Sequence, residues 1–362
     1  MALGIWKGNL LPIGADLGSG QVKLAQLRLN GSELELLAAG AEELPGYCRN
    51  DAHERMRVLA NCIRAILKSK PFKGRHCVMA LPASAMFVYH VKIPKLPPEQ
   101  TLEALRLELQ NKLPGNVDDM VMRHVVAGDV SGEGRSKQEV IVIACPRDTL
   151  ETYLAMARRA KLDVVSINAP SCAIVECFAH LLRRSADSSR TMLFIDIGAT
   201  CTQVVLSHGP QIAFSRALPI GGEQFDQVVA QGMGMPPHQA SALRRQASNG
   251  ELDQATQQEL YHLLEAKIDE LAGEVAQCLR YHESVFKNRQ VERAIFLGGQ
   301  AYDKRLCQLL AERLNVPATI GDPLTCIKRA EGAAPDAALD QRQPHPNWAV
   351  AIGLSLGAMK AA

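Results

Sequence analysis

The sequence predicts an α/β protein of two lobes, with a small α+β module inserted into the first. Three observations predict it. The 362-residue chain exceeds the roughly 250–300 residues at which a single hydrophobic core stops growing. A strand that closes on Asp and Gly and turns at once into a second strand occurs twice, at Asp16-Leu17-Gly18-Ser19-Gly20 and at Asp196-Ile197-Gly198-Ala199-Thr200, 180 residues apart. Between Val88 and Leu162 the apolar pattern runs strand, helix, strand, strand, helix, a unit of its own rather than a continuation of the first sheet.

Taken in order, Leu11 to Ala15 and Val22 to Leu29 read as strands, and Asn30-Gly31 turns the chain into a third, Leu34 to Ala39. Met56, Leu59, Ile63 and Ile66/Leu67 recur at helical spacing across Ala52 to Lys68; Pro71 stops that helix and His76 to Leu81 resumes as a strand. In the inserted module, Pro97-Pro98 open a helix whose face is Leu102, Leu105, Leu109 and Leu113, and Pro114-Gly115 close it. The charged loop Gly128 to Gln138 separates strand-like Met122 to Ala127 from Val140 to Ala144. From Thr191 the opening pattern returns as Met192 to Ile197, Thr202 to Leu206 and Gln211 to Ala217. Polar helices follow over Gly222 to Asn249. A long helix from about Asp253 to Phe286 then carries Leu260, Leu264, Ile268, Leu271, Val275 and Leu279 on one core-facing stripe. A strand at Ala294 to Leu297 runs into Gly298-Gly299-Gln300 and a helix over Tyr302 to Leu314, then a short strand at Val316 to Ile320. A loop-rich stretch, Gly321 to Pro346, precedes a buried helix at Ala349 to Met359. The expected division is 1–87 for the first part of lobe one, 88–162 for the module and 163–190 for the second part of lobe one. Lobe two is 191–345, with helices at about 222–290, and 346–362 returns to lobe one.

Composition narrows the function. Forty basic against 38 acidic residues leave a formal charge of +2, too weak a field to draw nucleic acid or an anionic membrane unaided. Ten cysteines contain no C-x-x-C pair and read as unpaired thiols of a reducing compartment. Met1 to Leu17 lacks the charged head and cleavage site of a signal peptide, and no window approaches the roughly 20 apolar residues of a membrane span. The expected location is cytoplasmic, with membrane contact only through a partner. His238, His262 and His282 have no metal-site spacing and read as surface or capping residues; Arg183-Arg184 and Arg244-Arg245 read as solvated helix ends, with contact of one of them to a phosphate as the alternative. Trp6 and Trp348 are too few for a base-stacking platform.

An aspartate at the end of an apolar strand, followed by a glycine turn, sets a carboxylate beside outward-pointing backbone N–H groups, an arrangement suited to phosphate and hydrated Mg2+. Asp16 and Asp196 are the candidate metal holders. Gly298 and Gly299, after a later strand, let a base or ribose approach the backbone with no β-carbon in the way. The G-x-G-x-x-G pattern of a dinucleotide fold is absent.

Ile13 to Leu24 resembles the first phosphate motif of the actin, Hsp70 and sugar-kinase superfamily; Phe194 to Thr200 resembles the second and Leu297-Gly298-Gly299-Gln300-Ala301 the adenosine motif. Within it, Leu218 to Phe225, the module from Val91 to Arg147 and the closing Ala351 to Gly357 are similar to the PilM family, FtsA-related actin-like proteins of type IV pilus assembly. The resemblance implies an actin-like (ribonuclease H-like) two-lobed fold and a cytoplasmic scaffold for assembly of a type IV pilus or a related secretion system, peripheral at the inner membrane, that binds Mg-ATP or Mg-ADP between its lobes. It implies that Gly18, Ser19, Gly20, Lys23, Gly198, Ala199 and Thr200 hold phosphates, that Glu223 reaches the ribose, and that Gly298, Gly299 and Gln300 face the adenosine.

The implied partner is the short cytoplasmic tail of a PilN-like bitopic membrane protein, captured between the first lobe and the module, with Val91 to Leu113 as the wall. Self-association through the module is the alternative use. Asn168 and Pro170 stand where an acidic residue would activate water, and Gln300 where a third glycine or serine is common, so at most slow ATP hydrolysis is expected. The competing readings are a small-molecule kinase, which would need a catalytic base and a substrate pocket, and an FtsA-like cell-division scaffold.

Overall fold

The structure is a computed structural model and describes residues 9–49, 51–130, 137–182, 190–287, 289–329, 339 and 342–357. The readings of Met1 to Gly8 with Trp6, of Arg183-Arg184, and of much of the 128–138 and 321–346 loops lie outside these residues.

The chain opens with β1 (Leu10–Leu17), β2 (Gln21–Asn30) and β3 (Glu33–Glu43), an antiparallel meander with Ile13 opposite Gln26 and Gln26 opposite Ala38. Gly31 takes φ +63° at the tight turn, as the Asn-Gly pair demands. Helix α1 (Ala52–Ser69) starts where the Asp51 carboxylate accepts from the His53 and Glu54 N–H groups, and buries Leu59, Ile63 and Ile66. β4 (His76–Ala80) then runs parallel to β1.

The module follows as β5 (Phe87–Pro94), α2 (Pro98–Leu109), β6 (Met120–Val130), β7 (Lys137–Pro146) and α3 (Arg147–Arg159). Its sheet has the order β5-β7-β6. Leu105 and Leu109 of α2 pack with Val91, Ile93, Val140 and Val142 into a core of their own. The last helix of the 88–162 stretch departs from the sequence division: Tyr153, Met156 and Ala157 of α3 join the core built on Ile13, Leu24 and Leu59 in the first lobe. The module sheet already has α2 on one face, so α3's apolar stripe is buried against α1 instead.

β8 (Asp163–Asn168) completes the parallel part of the first sheet, and α4 (Pro170–Phe178) leads towards the second lobe. The second lobe repeats the first: β9 (Thr191–Ile197), β10 (Thr202–His208) and β11 (Gln211–Leu218) form an antiparallel meander. Helices α5 (Gly222–Gly232), α6 (Pro237–Asn249) and α7 (Gln254–Val285) intervene before β12 (Val291–Leu297) returns parallel to β9. α8 (Lys304–Leu314), capped by Asp303, and β13 (Ala318–Ile320) finish that sheet in the order β11-β10-β9-β12-β13.

β14 (Ile327–Arg329), which the sequence division assigns to lobe two, pairs with β3 and gives the first sheet the order β14-β3-β2-β1-β4-β8. Buried Ile327 opposite Leu34 covers an edge that would otherwise stand open. The final helix, α9 (Ala349–Gly357), lies buried on β1, β2 and α4. Gly353 lets it cross α4 so closely that a β-carbon would overlap the Ala173 carbonyl, and Gly14 does the same for β1 against Ala351. Ser355 fixes the register, donating to the Pro12 carbonyl at 2.8 Å and accepting from Leu27 N–H at 3.3 Å.

Candidate functional site: a cleft between two glycine turns

The two Asp-Gly turns face each other across the lobes. The Thr200 hydroxyl donates directly to the Ser19 hydroxyl at 3.0 Å. Around this bond opens a cleft of about 570 Å³ whose walls include both turns, the Gly298-Gly299-Gln300 segment and one face of α6. Of the residues named from sequence, Asp16, Gly18, Ser19, Gly20, Lys23, Asp196, Gly198, Ala199, Thr200, Gly298, Gly299 and Gln300 all line it.

Glu223 does not line the cleft. Its N–H donates to the Ala199 carbonyl at 2.8 Å and the Gly222 N–H to the Gly198 carbonyl at 2.9 Å. The α5 N-terminus thus spends these donors on pinning the second turn. One turn further along α5, Asp226 reaches the cavity instead.

The two aspartates have different surroundings. Asp16 is buried in an ion pair with Lys23 at 2.8 Å, which the antiparallel register sets directly opposite it. Asp196 has no hydrogen-bond or ion-pair partner among the described residues. Burial raises its carboxyl from 3.8 to about 7, the Asp16 charge adding to the rise and Lys23 opposing it. Gly298 packs against this carboxylate with φ +86°, in the left-handed region, and a β-carbon there would overlap Asp196 Oδ1 and the Ile197 carbonyl.

At the far end of the cleft, α6 contributes Ser241, Arg244, Arg245, Ser248 and Asn249 at helical spacing. Arg244 is buried, not solvated as its sequence position implied. Its guanidinium donates to the Gly222 carbonyl (3.1 Å), Asp226 (2.8 Å) and the Gln300 side-chain oxygen (2.7 Å), and lies 5.1 Å from the centre of the Phe225 ring. The Gln300 amide rests on Gly222, so this end is narrowed from both sides. Helical spacing was visible in the sequence, but nothing local marked which face of α6 meets the Gly-Gly turn.

Every other acid on the walls is engaged or at the margin: Asp226 by Arg244, Asp303 by Tyr261 at 2.6 Å, and Glu43 exposed at the rim. Pro170 lines the cleft from the segment between lobes, while Asn168 turns its side chain back to the Ala169 N–H at 2.9 Å. Among the described residues no three His, Cys, Asp or Glu side chains converge to ligate a metal directly. The donor set therefore fits a hydrated cation carried by phosphates, with Asp196 as the carboxylate available to its waters.

A second cavity, a groove of about 470 Å³, runs between β6 of the module and β8, the edge strand of the first sheet. Val121, Val125, Val164, Val165 and Ile167 give it apolar walls, with Arg123 and His124 among its polar ones. This differs from the Val91 to Leu113 wall expected from sequence, because those residues are spent on holding α2 to its sheet. No helix among the described residues is long and apolar enough to cross a membrane.

The chain is similar in fold to the solved PilM-PilN type IV pilus biogenesis complex, with TM-score 0.79 and 21% identity over 97% of this chain and 99% of that one. It is also similar to the ethanolamine utilization protein EutJ from Carboxydothermus hydrogenoformans, with TM-score 0.54 and 13% identity over 95% and 89% of the two chains. These likenesses establish the actin-like two-lobed fold. The model of the family described as type IV pilus assembly protein PilM matches residues 14–359, nearly the full length, and so the chain belongs to the PilM family of type IV pilus assembly proteins.

Proposed function

We propose that the protein is a nucleotide-binding scaffold of type IV pilus assembly that works at the cytoplasmic face of the inner membrane. It holds Mg-ATP or Mg-ADP in the inter-lobe cleft and the short cytoplasmic tail of a PilN-like bitopic membrane protein in the β6–β8 groove. The observation that carries the first part is the pair of opposed glycine turns closing on Asp196, a carboxylate kept partnerless where a cation's hydration shell would neutralise it. In this reading Gly18, Ser19, Gly20, Gly198, Ala199 and Thr200 cradle phosphates. Lys23 neutralises Asp16 and faces the phosphates, Gly298, Gly299 and Gln300 face the adenosine, and Asp16 and Asp196 hold the metal through water. The metal supplies charge neutralisation of the phosphates. Asp226, rather than Glu223, is the acid placed to meet the sugar. Turnover is slow or absent, since among the described residues no wall carboxylate other than Asp196 stands inside the cleft without a partner and Pro170 supplies no base.

The groove supports the partner reading. Two edge strands flank it, so an extended tail can add backbone hydrogen bonds while Val125, Val165 and Ile167 receive its apolar side chains. The solved relative is itself a complex with PilN.

Titration calorimetry with Mg-ADP and Mg-ATP tests the cleft: wild type should bind, and Asp196→Asn should bind at least tenfold more weakly. Equal binding by both proteins, or none by the wild type, would refute it. Val165→Asp should abolish capture of the membrane partner while leaving nucleotide binding unchanged.

A further inference from the structure

The face of the module sheet opposite α2 does two things. Along β7 the alternation is strict: Val140 and Val142 face α2, while Glu139, Ile141 and Ile143 face the other way. At one end of this second face, Val121, Val125 and Ile143 line the groove. At the other, Ala127 and Ile141 enter the core that contains Ile212 and Ala213 of β11 and Val285 and Phe286 at the end of α7. The module therefore rests on the second lobe.

The centre of that contact is polar. The Tyr281 hydroxyl of α7 donates to Glu139 Oε1 at 2.6 Å, and His90 Nδ1 of β5 lies 3.2 Å from the same oxygen. Glu139 is fully buried; burial opposes its ionisation, but the His90 and Tyr281 hydrogen bonds hold its carboxyl below the usual range. His90 stacks on Phe214 at 4.5 Å. Its Nε2 lies 3.1 Å from the Ser215 carbonyl oxygen and 3.3 Å from the Ser215 N, so the ring finds a bond there either as donor or as acceptor. Next to this cluster, His208 and His282 meet Nε2 to Nε2 at 2.8 Å, both buried; His282 is thus no surface residue. Of the seven buried side-chain polar atoms without a partner among the described residues, Glu139 Oε2, Ser215 Oγ and His282 Nδ1 belong to these two clusters. Such atoms cost free energy in a permanent core and are rare there.

We infer that the module is held to the second lobe by a releasable polar latch, the Glu139 carboxylate of β7 clasped by Tyr281 of α7 with His90 seated on Ser215 of β11. Opening wets the orphaned atoms, which offsets part of the apolar area exposed and so lowers the cost of opening. β11 runs on to Gly222 and Glu223, whose N–H groups pin the second glycine turn. The latch thus stands between groove and cleft and would relay occupancy of either. Its existence does not depend on what binds in them.

Hydrogen exchange of the full-length protein, read by mass spectrometry without ligand, tests it. Tyr281→Phe keeps the ring and removes the hydroxyl bond. Exchange should rise roughly ten- to hundredfold in peptides covering β5, β7, β11 and the end of α7, with β1, β4 and β9 unchanged. Glu139→Gln keeps the shape and still accepts from Tyr281 but removes the charge that the His90 and Tyr281 hydrogen bonds favour, so exchange there should rise, by less than in Tyr281→Phe. Acceleration spread equally over the core strands of both lobes in Tyr281→Phe would overturn the latch, as would no acceleration at all. Level or slower exchange in Glu139→Gln would overturn the carboxylate charge as part of the clasp.

Discussion

Replacing Asp196 with asparagine should make the ligand-free protein more stable, most of all at neutral to alkaline pH. Burial, with Asp16 nearby, lifts the carboxyl from 3.8 to about 7. A folded-state value above the unfolded one means that the folded protein holds the proton more tightly. The contribution of this group is then complete below the unfolded value and is lost as pH rises through the folded one. At about 1.4 kcal/mol per pH unit, ionising Asp196 inside the cleft costs on the order of 4 kcal/mol at pH 8.5, and water entering the cleft screens this to about 2–4 kcal/mol. Asparagine keeps the shape, and Gly298 can pack against it unchanged. Urea unfolding under reducing conditions should show Asp196→Asn more stable by that amount at pH 8.5. At pH 5 the gain should fall to roughly a third. If the lobes unfold separately, the gain belongs to the transition that includes β9. An equal gain at both pH values would place the effect outside ionisation, and no gain at pH 8.5 would refute the cost of the charge. A gain in stability joined to loss of Mg-ADP binding is the signature of a carboxylate retained for a ligand.

Two further substitutions probe the frame of the site. Gly353→Ala forces a β-carbon onto the Ala173 carbonyl, backbone that no rotamer change can clear. It should lower the melting temperature by about 5–10 °C, whereas Gly299→Ala, with open space around it, should leave the melting temperature unchanged. Arg244→Met strands Asp226 and Gln300 and should cost on the order of 3 kcal/mol in urea unfolding; adding Asp226→Asn should recover part of the loss in a double-mutant cycle.

Local chemistry was the legible part of this molecule. The strand–Asp–Gly turn–strand units depend only on neighbours in sequence, so both sites at the cleft mouth, and the lobe built around each, could be read from residues 13–24 and 194–200. The long helix was bounded within a residue of Gln254–Val285 because the Asp253 cap and the apolar stripe are local as well. What failed were questions of facing. α3 carries a stripe but no sign of whether α2's sheet or α1 will cover it. Arg244 has the composition of a solvated helix end until Gln300, 56 residues away, is brought against it. The Val91 to Leu113 stretch poses the same question of facing: its apolar residues fill the module's own core, which the sequence pattern does not distinguish from an open wall.

The position of α9 has a consequence for synthesis of the chain. The sheet that begins at Leu10 lacks one of its covering helices until Ala349–Gly357 arrive, since those residues lie on β1, β2 and α4. At about 5–20 residues per second, a ribosome takes roughly tens of seconds to travel between them. During that interval the apolar face awaiting Ile352 and Leu354 is open to water. The second lobe has its meander, its helices and its returning strands in one continuous stretch, so it can close first. The earlier-made lobe is therefore completed last, and until then it offers a bare sheet face to chaperones and to other unfinished chains.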